Sequence, residues 1–142
     1  MEMRSRSART VGIDGARRSI LAFTSLAAGV IHAVAVPEHL RESLLFGTFF
    51  VVIAAFQIGW GGMFQDGVDP GRRFLTTGVV VNAGLVVLWI VSRTVGVPVG
   101  PEPWMPEPKG ALDVAATTLE LVFVAAALLL PGRGSRDAGR TR

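Results

Sequence analysis

The sequence predicts an all-α integral membrane protein, a bundle of four membrane-crossing helices, and three observations lead there. Half of the 142 residues are hydrophobic and the mean hydropathy is +0.48, too apolar for an ordinary soluble domain of this length. Four apolar runs, 19–36, 43–63, 74–92 and 111–130, each approach the roughly 20 residues that about 30 Å of hydrocarbon requires. The basic residues are also unevenly placed. Arg4, Arg6, Arg9, Arg17 and Arg18 precede the first run, Arg72 and Arg73 separate the second from the third, and Arg133, Arg136, Arg140 and Arg142 follow the fourth. The other connections hold only Arg41, Arg93 and Lys109. Because Lys and Arg are retained on the cytoplasmic side, both termini are expected in the cytoplasm of a cell-membrane protein. The basic balance then reports orientation and attraction to anionic headgroups, and no nucleic-acid partner is expected.

The terminal segments 1–18 and 131–142 are polar and Arg-rich, and bury too little apolar surface to offset the entropy of ordering. They are expected to be cytoplasmic tails. The first run carries Ser25, Gly29 and Ala33 at helical spacing, a small-residue seam along which a second helix can approach, with His32 beside it. The same region imitates a secretory signal with an Ala33-Val34-Ala35 cleavage site, against which stand the length of the run and the histidine inside it. Pro37 suits the first turn of a helix, and Glu38 and Glu42 favour a helix N-terminus, so the second helix is expected to start at Pro37. The second run contains Gln57 and ends in Gly59-Trp60-Gly61-Gly62, which places Trp60 in the interfacial belt. Asp66-Gly67 and Asp69-Pro70-Gly71 supply turn chemistry before the third run, which holds Asn82 near its middle and Trp89 further on.

Segment 92–110, SRTVGVPVGPEPWMPEPKG, has five prolines and three glycines and can be neither helix nor central strand. Its prolines, Trp104 and terminal charges predict an ordered cap across the outer mouth of the bundle. On the fourth run Asp113, Thr117 and Glu120 fall at i, i+4 and i+7, one polar face among Ala, Val and Leu, and that face should turn inward.

There is no cysteine, which excludes thiolate metal sites, thiol catalysis and disulfides, and there is no HExxH, GxSxG or phosphate loop to mark an enzyme. The chemistry therefore rests on the intramembrane ionisable groups. His32 in a bilayer needs a partner, and Glu120 is the residue expected to supply it. His32, His39, Glu38, Glu42, Asp113 and Glu120 together form a candidate site in the outer half for a proton or for a divalent metal such as zinc, copper or iron, which His and carboxylate bind when thiolates are absent. Gln57 and Asn82 read as interhelical polar contacts, Arg93, at a helix end beside carboxylates, as anchoring the cap through an ion pair, and Glu107 and Thr117 as further structural polar groups. The competing expectation is that these groups only orient helices, in an accessory subunit of a membrane complex or a homo-oligomer.

The elements HAVAVPEHLRE (32–42), SRTVGVPVGP (92–101) and PEPKGALD (106–113) followed by Glu120 resemble those of a group of small bacterial and archaeal four-span membrane proteins. The resemblance covers most of 29–120 and implies four spans; it carries no biochemical activity. An alkaline phosphatase fused after Arg142 should be inactive and a fluorescent protein at the same position bright; an active phosphatase would overturn the orientation.

Overall fold

The structure, a computed structural model, describes residues 2–64 and 71–129, with side chains from residue 15 onward. The chain is an all-α bundle of four helices, α1 (Glu2–Glu42), α2 (Leu44–Met63), α3 (Gly71–Thr94) and α4 (Ala111–Leu129). Each is long and apolar enough to cross a membrane, α1 over Gly15–Glu42. The polarity of the bundle is inverted relative to a soluble domain. Ser25, Gln57, Asn82, Thr117 and Glu120 are buried, while Phe23, Val34, Leu44, Val80 and Leu129 lie on the outside, where only lipid tails satisfy them.

Helix boundaries differ from the sequence reading in three helices; α3 runs on to Thr94, so Ser92, Arg93 and Thr94, which precede the first proline of segment 92–110, are helical. Helical backbone extends back through the Arg-rich segment to Glu2, where a tail was expected. Glu, Met, Arg and Ala are good helix formers, and a helix already nucleated propagates through them more easily than it starts. Pro37 also does not open α2; it lies inside α1. A proline within a membrane helix loses one backbone hydrogen bond, which the surrounding helix tolerates. Beyond it, Glu38 to Glu42 continue the helix, His39 Nδ1 lies 2.9 Å from Glu42 Oε2, and the Ser43 N–H closes on His39 O at 2.9 Å. The connection between α1 and α2 is thus the single extended residue Ser43. The turn signals of 65–70 and the basic segment 131–142 lie outside the described residues.

α1 lies between α2 and α4, and α3 packs on α4. The α1–α2 contact is the tightest. Ser25 Oγ donates to Gln57 O at 2.8 Å, and a Cβ at Gly29 would stand 2.8 Å from Ile58 Cγ1 and 3.0 Å from the Ile58 backbone nitrogen. The small-residue seam runs through Ala22, Ser25 and Gly29; Ala33 is exposed and lies beyond it. Trp60, expected in the interfacial belt, turns its ring into the bundle. It is 4% exposed, stacked on Phe74 at 4.8 Å, in a cluster with Phe64 and Phe123, and its Nε1–H donates to Phe74 O at 3.3 Å. A buried indole needs that acceptor, and an apolar cluster with one carbonyl provides it. At the same end Arg17 donates to Ala127 O at 2.8 Å, placing positive charge at the C-terminus of α4.

The backbones of α2 and α3 scarcely approach each other and meet through long side chains. The resulting gap is closed at the far end by the proline-rich segment 95–110. The Glu107 N–H donates to Ser92 O at 2.9 Å and the Trp104 N–H to Val97 O at 2.8 Å. Gly96 sits at φ +77°, and a Cβ there would strike the Trp104–Met105 backbone. Trp104 itself has φ 63°, uncommon for a bulky residue, with its ring outside.

Gly29→Ala should lower the thermal stability of the detergent-solubilised protein by about 1–3 kcal/mol through overpacking. Gly59→Ala, whose Cβ would meet nothing within 4 Å, should be neutral or gain up to about 1 kcal/mol from helix propensity. Equal effects at the two positions would show that the seam is not close-packed.

Candidate functional site

All four helices bring their polar residues together halfway along the bundle, and a backbone carbonyl sets the direction of every bond. Gly78 O can only accept, so Asn82 presents its Nδ2 there, at 2.8 Å. Asn82 Oδ1 then faces Gln57, which must offer its amide nitrogen, at 3.2 Å. The same Gln57 nitrogen donates to Glu120 Oε1 at 3.2 Å, and Gln57 Oε1 is left to face His32 Nδ1 at 2.8 Å. A carbonyl oxygen accepts only, so His32 carries its proton on Nδ1 and turns Nε2 toward Glu120, 3.8 Å from Oε1. His32 and Glu120 are therefore neighbours bridged by Gln57, with no direct hydrogen bond between them. Gln57 and Asn82 join helices, as their residue type suggested, and Gln57 is also the centre of the site. The signal available in the sequence was a buried-type amide within helical reach of the His32 seam, and it gives no partner by itself.

A second tier lies about two turns away, since His39 follows His32 by seven residues and Asp113 precedes Glu120 by seven, roughly 10 Å of helix rise. Here Arg93, whose side chain is 8% exposed, donates through NH1 to Glu107 and through NH2 to Asp113 at 2.6 Å. Asp113 also accepts the Gly110 N–H at 3.0 Å, which ties the cap to the first turn of α4. His39 is held apart from this group by Glu42 and by Phe50, whose ring stacks on His39 at 3.8 Å and meets His32 edge-on at 5.4 Å.

The six candidate metal ligands thus fall into separate partnerships. Phe50 stands between the two imidazoles, Asp113 faces a guanidinium, Glu42 faces His39, and Glu38 is exposed away from the cavity. Among the described residues no group of three or more His, Asp or Glu side chains is placed to hold a metal ion. The reason is geometric: residues seven apart share a helix face but sit too far along it to share one ion.

What the two tiers line is a half-open cavity of about 280 Å³ between the four helices and the cap. Its walls are mainly apolar, with Phe46, Phe49, Phe50, Leu85 and Leu88 among them, and His32, Glu120, Thr117, Arg93 and Asp113 enter from the polar side. Three buried side-chain nitrogens among the described residues have no hydrogen-bond partner, Arg17 Nε, Trp89 Nε1 and Arg93 Nε, and the last two belong to cavity-lining residues. Trp89, read from the sequence only by its position in the third run, is part of the wall. No family model, curated protein or solved structure matches the chain, so the site is known from its own geometry.

If Gln57 holds the site together, Gln57→Leu should cost roughly 2 kcal/mol of stability in detergent, three membrane hydrogen bonds at about 0.6 kcal/mol each. Asn82→Leu should cost less, and the double variant less than the two singles combined. A Gln57→Leu protein as stable as wild type would remove the bridge.

Proposed function

We propose that this protein is a ligand-binding protein of the cell membrane, with both termini in the cytoplasm, that takes a small, mostly apolar molecule with a polar end into the cavity under the proline-rich cap. The observation that carries the reading is the cavity itself. An apolar, largely pre-formed hollow with a few convergent polar groups is the usual form of a small-molecule site. Buried donors on Trp89 and Arg93 that lack acceptors offer a place for the ligand's own oxygen or nitrogen.

The size is consistent with such a role. A cavity of about 150 Å³ lined by aliphatic and aromatic groups takes up benzene, so roughly twice that volume admits a phenyl ring carrying a short chain. Orientation rests on the basic residues: Arg17, Arg18, Arg72 and Arg73 lie toward the end opposite the cap, which would place the cavity in the outer half. His32 Nε2 and Glu120 Oε1 face each other as two acceptors 3.8 Å apart, so we also assign the pair one exchangeable proton, carried on one group or the other. The separate partnerships of the six candidate ligands favour an organic molecule over a metal ion.

The purified full-length protein in dodecyl maltoside should be stabilised by 2-phenylethanol, with a melting temperature that rises and saturates as binding to the folded state requires. Ala35→Leu, which fills the cavity wall, should abolish the rise while the protein still melts cooperatively. A wild-type melting temperature unmoved by 2-phenylethanol and by its amine analogue alike would overturn the reading.

A further inference from the structure

Building on the cavity reading, we propose that the ligand class is a small protonated amine, bound by its N–H groups between His32 Nε2 and Glu120 Oε1 with its apolar body against the aromatic wall. The chain of bonds from Gly78 O leaves His32 Nε2 as an acceptor and Glu120 Oε1 as another, 3.8 Å apart. Two acceptors at that separation call for one donor between them. An ammonium nitrogen about 2.8 Å from each closes a triangle on that base, with a third N–H left over. An alcohol brings only one hydrogen and no charge; a carboxylate brings two more acceptors and is repelled.

The charges around the cavity point the same way. α1 contributes His32 and His39, with Glu42 paired to His39; α2 contributes no ionisable wall residue; α3 contributes Arg93; the cap contributes Glu107; and α4 contributes Asp113 and Glu120. The single guanidinium is held by two carboxylates, so it has no charge to spare for an anionic ligand. Glu120 is 2% exposed and faces no Lys or Arg among the described contacts; its neighbours are the Gln57 amide and His32. A cation is thus the complementary guest for the inner tier. Phe50, already edge-on to His32, and Phe46 and Phe49 supply π faces for that cation, where desolvated contacts are strongest. At the other tier the unpartnered Trp89 and Arg93 N–H groups accept contact from an electron-rich end of the same molecule.

Without ligand, one proton carried on either His32 Nε2 or Glu120 removes one of the two facing acceptors; at 3.8 Å it is not shared between them. The exchange is balanced: the protein releases that proton and takes up an ammonium, with no net change in charge and no bond broken in the ligand. Binding of the amine should therefore compete with protonation, and tighten as pH rises over a range where the amine itself stays charged.

The test uses three probes with nearly the same body and different charge, 2-phenylethylamine, 2-phenylethanol and 3-phenylpropanoate, titrated calorimetrically into full-length protein in dodecyl maltoside. The amine should bind at least tenfold more tightly than the alcohol, and the carboxylate not measurably. In buffers of different ionisation heat, amine binding should release close to one proton, and its affinity should rise with pH over the range where the amine stays charged while that of the alcohol stays level. Glu120→Gln should erase the preference for amine over alcohol; should this variant not fold, the pH dependence of the wild type decides alone. Equal affinities for amine and alcohol, tighter binding of the carboxylate, or pH-independent amine binding would overturn the amine assignment and leave the cavity reading standing. If none of the three binds, both fall.

Discussion

The structure depends on the side-chain amide of Gln57. In a bilayer there is no water to satisfy a buried polar group, so each one must find its complement among the helices. Gln57 has two donors and one acceptor in a fixed plane, and it uses them toward α1, α3 and α4 together. Its orientation is imposed from outside, by Asn82 and ultimately by Gly78 O. Rotating the amide by half a turn would set oxygen against oxygen at both Asn82 and Glu120, so the bridge holds a single register of helices that otherwise slide on apolar surfaces.

The same bridge explains why the interior is hollow at one end. Near the opposite end small residues bring α1 onto α2, and Trp60, Phe64, Phe74 and Phe123 fill the space between the remaining helices. Beyond Gln57 the residues that α2 and α3 present are mainly apolar, Phe46, Phe49 and Phe50 on one and Leu85, Leu88 and Trp89 on the other, and they line the hollow without filling it. The proline-rich segment then roofs the gap. Arg93 is common to both features, since it anchors Glu107 of the roof and Asp113 of α4 while its own side chain forms part of the cavity wall. With Glu107 and Asp113 39% and 27% exposed, these ion pairs contribute little net stability, but removing both carboxylates would strand the buried Arg93. They serve geometry more than energy.

The cap shows how a segment without regular structure is nonetheless fixed. Five prolines limit the backbone, Gly96 permits a turn that a side chain would block, and the Trp104 N–H closes onto Val97. The positive φ of Trp104 costs about 1–3 kcal/mol, a strain that persists only where neighbouring bonds impose it.

What the sequence by itself determined was the architecture. Runs of about 20 apolar residues can satisfy their backbones in a bilayer only as helices, so four such runs give four spans whatever their packing. The inward face of Asp113, Thr117 and Glu120 was legible for the same reason, because periodicity of 3.6 puts them on one side of a helix. Helix junctions were less so: Pro37 has two compatible positions, and only the continuation to Glu42 and the extended Ser43 chose between them. Trp60 could serve an interface or a core, and the choice fell to Phe74, a residue outside its own helix. Most of all, one-dimensional spacing grouped two histidines and four carboxylates by depth, whereas tertiary packing placed Phe50 between the imidazoles and Gln57 between His32 and Glu120. Lateral neighbours across helices are set by which small residues permit close approach and which polar tips find one another, and that information exists only once the helices are side by side.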